Sequence, residues 1–80
     1  MSERTEYIGQ RESLRHVQKR LESEALSHRD SLRAALPIIG EPAEIDGDYV
    51  LSLALALNEK ILQLRGVNKQ IAVLTSNIDG

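Results

Sequence analysis

Two long stretches of this chain carry their apolar residues at helical spacing, and a short stretch between them cannot. In the first, Leu14, Val17, Leu21, Ala25, His28, Leu32 and Ala35 follow one another at steps of three and four. That is the signature of one helix face. Leu14 to Ala25 spans eleven residues, and so does Ala25 to Leu36. An eleven-residue repeat lacks the left-handed twist of strict heptads, so it predicts a nearly straight or slightly right-handed helix. Pro37 ends the pattern, because the residue before a proline disfavours the α region. A helix over about 3–36 follows. Gly9 is its weak point, at a cost of about 1 kcal/mol inside a helix, and leaves open whether the helix starts before or after it.

Residues 37–46, PIIGEPAEID, hold two prolines and a glycine and read as a connection without regular helix. Ile38, Ile39 and Ile45 suggest that this loop folds over the end of a bundle. Asp46 is the expected N-cap of a second helix. It places Ile45 and Val50 at the two positions of a hydrophobic staple, and Asp48 in the first turn, where the helix dipole favours a carboxylate. Next comes VLSLALAL, residues 50–57, apolar at every position except Ser52. Leu51, Leu53, Leu55 and Leu57 alternate as a strand would. Leu and Ala, however, are strong helix formers and poor strand formers. The segment also opens the series Val50, Ala54, Leu57, Ile61, Leu64, Asn68, Ile71, Thr75, Ile78, whose steps alternate four and three without a break. One helix over about 47–77 is predicted.

Two helices of similar length and a connection of about ten residues make an antiparallel pair. The expected fold is therefore all-α: a single-domain helical hairpin. Its seam sets Leu14, Val17, Leu21 and Leu32 against Leu57, Ile61, Leu64 and Ile71.

On a wheel at about 100° per residue, the second helix has more apolar surface than one partner helix can cover. Leu51, Leu55 and Leu62 lie about a quarter-turn round from the seam. Left in water, each forgoes about 1.5–3 kcal/mol. With Val50 they form the expected oligomer interface, and a second copy of the chain is the economical cover. Two hairpins would then make a four-helix bundle with the second helix at its centre. A trimer, or a helix from another protein, satisfies the same pattern. Farther along, the stripe turns into Arg65 and Lys69, so the contact is expected to be densest in the first half of the second helix.

Composition sharpens this picture. Eighty residues bury only a thin core, and oligomerisation is a usual supplement. With no cysteine, disulfides and thiolate metal sites are excluded. Tyr7 and Tyr49 are the only aromatic residues, too few for base-stacking platforms. The net charge of −2 implies no polyanionic partner. MSERTEYIGQ is polar where a signal peptide would be apolar, and no run reaches the length of a membrane span. A cytoplasmic protein, with no membrane partner, is expected.

Candidate chemistry is sparse. Arg4, Arg11, Arg15, Lys19, Arg29 and Arg33 share an arc of about 80° on the first helix. Such a row could track a phosphate backbone, making nucleic-acid (RNA) binding the alternative function. The expected architecture resembles Rop-like RNA-binding hairpin dimers, a likeness of architecture that no sequence motif extends. The competing reading is a solvated flank paired with Glu12, Glu22 and other acids, and nucleic acid is not the favoured partner. Asn68 on the second helix's seam could set register or oligomer state or simply meet water at the bundle end. His28 lies on the first helix's apolar stripe without a second histidine at metal-ligand spacing. The acids Glu41, Glu44, Asp46 and Asp48 lack the spacing of a calcium loop and read as capping and solvated loop. No metal site, cofactor or catalytic residue is expected, and neither is an enzyme: there is no Cys nucleophile, neither His stands with a Ser and a carboxylate in a recognisable arrangement, and there is no Gly-rich phosphate loop. The expectation is a small homo-oligomeric interaction or scaffold protein.

Overall fold

The computed structural model describes residues 3–36 and 40–79. Two helices, α1 (Glu3–Ala35) and α2 (Gly47–Asp79), pack side by side, with a 3₁₀ turn at Pro42–Glu44 between them. No strand occurs among the described residues. The alternating leucines of 51–57 are helical, as Leu and Ala propensity requires.

The ends follow local chemistry. α1 runs straight through Gly9, and Leu36 lies just outside it, donating its backbone N–H to Arg33 O at 3.3 Å. Pro42 opens the 3₁₀ turn from its first position, where its missing N–H costs nothing. Gly40 holds φ at +146°, a region closed to most side chains. Asp46 caps α2 as expected: its Oδ1 accepts the Tyr49 N–H at 3.0 Å, and its carbonyl accepts the Val50 N–H at 3.0 Å. α2 continues two residues beyond its expected end, to Asp79. Ile38 and Ile39 lie outside the described residues. Ile45, the remaining isoleucine of the connection, stays 40 % exposed.

A hydrogen bond and an ion pair between side chains cross from one helix to the other. Gln18 Nε2 donates to Asn68 Oδ1 at 2.6 Å, and Lys60 Nζ lies 2.6 Å from Glu24 Oε2. As α1 ascends the sequence, α2 descends, so the pair is an antiparallel hairpin. Residues stand level when their numbers add to about 85. That rule sets Tyr7 beside Ile78, Leu14 beside Ile71, Leu21 beside Leu64, His28 beside Leu57, and Ala35 beside Val50. All ten are buried or half-buried.

The packed face of α1 corrects one expectation. Its inward positions are Tyr7, Arg11, Leu14, Gln18, Leu21, Ala25, His28, Leu32 and Ala35, at steps of four and three throughout. This is a heptad, the period of left-handed packing, and not the eleven-residue repeat read from the apolar residues alone. Arg11 and Gln18 occupy seam positions, and their polarity hid the period. Val17, Glu24 and Ser31 flank the same seam.

The molecule is 62 Å long and only 16 by 14 Å across. Its radius of gyration is 18.2 Å, where a compact chain of this length would have about 12 Å. Leu21, 2 % exposed, and Ile78, 9 % exposed, are the buried residues among those described. A single layer of helix contact encloses nothing more.

Candidate functional site

α2 presents two faces. Its seam face carries the expected Val50, Ala54, Leu57, Ile61, Leu64, Ile71, Thr75 and Ile78, all buried or half-buried. The seam residues of α1, Leu14, Val17, Leu21 and Leu32, turn inward to meet it. Val50, expected at the oligomer interface as well, is half-buried on this hairpin side. Asn68 is exposed, and its amide oxygen takes the Gln18 bond across the seam.

The outer face of α2 is different. Leu51, Leu55 and Leu62 are 58 %, 61 % and 56 % exposed. They belong to a series with no interruption: Asp48, Leu51, Leu55, Asn58, Leu62, Arg65, Lys69, at steps of three and four, every member exposed. This is a second heptad stripe on the same helix. It is acidic at its start and basic at its end, with Leu51, Leu55 and Leu62 between, broken by Asn58.

A shallow groove of about 430 Å³ runs beside this stripe, between Ala25, Leu26 and Arg29 of α1 and Leu57, Ile61 and Leu64 of α2. Leu26 is 48 % exposed. The groove borders the flank on which the leucines lie, so one apolar surface extends from α1 across to the outer face of α2. The sequence alone does not join Leu26 to α2, because that needs the register of the hairpin. A larger opening of about 960 Å³ lies on the opposite flank at the open end of the hairpin, where Gly9 and Ser13 face Val73 and Leu74. No signal in the sequence marked it, since its breadth comes from a glycine and a serine that leave space rather than fill it.

The basic arc is shorter than the sequence suggested. Arg4, Arg15, Lys19, Arg29 and Arg33 are exposed, but Arg11 sits on the seam, and its Nε is buried without a hydrogen-bond partner. Arg15 pairs with Glu12 at 2.9 Å and Arg29 with Asp30 at 3.0 Å. The first is the i,i+3 charge matching of a solvated helix flank, and the second joins two chain neighbours, both exposed. Glu24 bridges Arg20 and Lys60. The hydrogen bond from Lys60, aided by the nearby positive charges, holds its carboxyl below the ordinary range.

His28 is half-buried on the seam, level with Leu57. Among the described residues, no group of three His, Asp or Glu side chains is placed to hold a metal ion. None of the described helices is long and apolar enough to cross a membrane. Comparison with protein-family models, with characterised proteins and with solved structures returns no match.

Proposed function

We propose that this chain is a small interaction module that works by associating with itself, through the outer leucine stripe of α2. The observation that carries this reading is the row Leu51, Leu55 and Leu62, each more than half exposed along one helix. Contiguous apolar surface of this kind invites association.

The total surface supports it. The chain exposes 6093 Å², where a compact monomer of 8.9 kDa would expose about 4,800 Å². The surplus is roughly 1,300 Å², and a stable interface takes about 800 Å² from each partner. The hairpin thus has surface to spare for one full contact without unfolding any part of itself. A binding role of this kind needs no catalytic group, and it draws on α2 while leaving the charged outer flank of α1 in water.

Sedimentation equilibrium over a wide concentration range tests the proposal. The wild-type chain should hold a fixed oligomeric mass on dilution, and Leu55→Glu should sediment as a monomer with its helix content unchanged. Leu55 makes no part of the hairpin seam, so the variant keeps its own fold. A monomeric wild type, or a Leu55→Glu chain that keeps the oligomeric mass, overturns the reading.

A further inference from the structure

The outer stripe of α2 also specifies how two copies would meet. We infer that α2 pairs with α2 of a second copy in antiparallel fashion, in one register, about a two-fold axis passing between Leu55 and Asn58. This rests on the self-association proposed above and adds its geometry.

The stripe is self-complementary only when it is read backwards. In the proposed register Leu51 lies level with the partner's Leu62, and Leu55 with the partner's Asn58. Asp48 then meets the partner's Arg65, and the two-fold axis repeats each contact. Leucine meets leucine in the two outer layers, Asn58 stands beside the partner's Leu55 in the two central ones, and both ends close with unlike charges. A parallel pair would set Asp48 against Asp48 and Arg65 against Arg65, and like charges across an interface are costly. Sliding the antiparallel pair by one heptad fails in either direction. One slide puts Leu51 and Leu55 against the partner's Lys69 and Arg65. The other sets Leu51 against the partner's Leu55 but carries Leu62 past the start of the partner's α2 and leaves Asp48 facing the partner's Asn58 instead of a cation.

The charges at the ends are free to serve this contact. Asp48, Arg65 and Lys69 are exposed, and none has an ion-pair partner among the described residues. The steps of three and four along the stripe are those of a two-stranded coiled-coil seam. The groove lined by Leu26 and Ile61 opens on the same flank, centred near the level of the proposed axis. A second copy of α2 seated on the stripe therefore also closes one side of that groove.

Cross-linking decides the register, because the chain has no cysteine of its own. Two full-length variants, Asp48→Cys and Arg65→Cys, are oxidised separately and then as a mixture. A disulfide requires Cα atoms within about 7 Å. The antiparallel register predicts a covalent dimer in the mixture and none in either chain alone. Cross-linking of each variant with itself means a parallel pair and overturns the inference. A non-covalent dimer that cross-links in no combination places the contact elsewhere and overturns it too. A monomeric wild type instead removes the self-association beneath it, so the two failures are distinct. Charge reversal gives a second reading that keeps a charge at both sites. Asp48→Arg and Arg65→Asp should each raise the dimer Kd by about tenfold, and the double variant D48R/R65D should restore it. Single reversals without effect on Kd overturn the register.

Discussion

Leu21 is the residue on which the hairpin closes, midway along α1 and level with Leu64. It is 2 % exposed in a molecule with almost no interior. Leu21→Ala should therefore cost about 3 kcal/mol, seen in urea unfolding at fixed protein concentration. Arg11 is the opposite case. Its buried Nε has no partner, and such a group costs about 1–3 kcal/mol. Arg11→Met keeps the apolar stem at that seam position and removes the orphan donor. A gain of about 1 kcal/mol in the same measurement is expected. Glu24 links stability to pH. Its carboxyl titrates below its ordinary value because of the Lys60 hydrogen bond, so the unfolded chain holds the proton more tightly than the folded one. The contribution is complete above the unfolded pKa and disappears as the pH falls through the depressed folded one. Glu24→Gln should flatten the rise of Tm with pH between about 3 and 5 and leave the slope above that range unchanged.

Each helix is held differently, and this decides what could be read in advance. α2 was legible almost to the residue. Its seam is apolar at nearly every step, Asp46 is a strong cap, and Leu and Ala leave no doubt about helix over strand. α1 was legible in extent, since Pro37 stops it, but not in phase. Two of its seam positions are Arg11 and Gln18, which bury a stem or bond across to Asn68 while scoring as polar. A frame stepped from Tyr7 through Leu14, Leu21, His28 and Ala35 recovers the heptad. Both helices also carry a glycine whose added methyl would meet nothing within 4 Å, Gly9 in α1 and Gly66 in α2. Helix propensity then acts alone. Gly9→Ala and Gly66→Ala should each stabilise by about 0.5–1 kcal/mol, raising Tm without altering the oligomeric mass.

For the whole molecule, the candidate surface was half legible. Leu51, Leu55 and Leu62 stood out as too many leucines for one partner helix. The groove beside them needed both helices and their register, which no local pattern contains. A thin rod with surplus surface also ties its stability to its neighbours. If two copies bind, Tm should climb with protein concentration, and in Leu55→Glu it should not. The level-pairing of the hairpin has one more consequence, for the order in which contacts can form. Ala35 and Val50, nearest the connection, are 15 residues apart along the chain, whereas Tyr7 and Ile78 are 71 apart. Bringing the second pair together from an unfolded chain costs only about 1.4 kcal/mol more in loop entropy than the first, but once the first pair has met, each later one is nearly adjacent. The hairpin is a zipper with its slider at the connection. Amide hydrogen exchange should be fastest toward Glu3 and Asp79 and slowest around Leu21 and Leu64, with the open end fraying many times before the molecule unfolds as a whole.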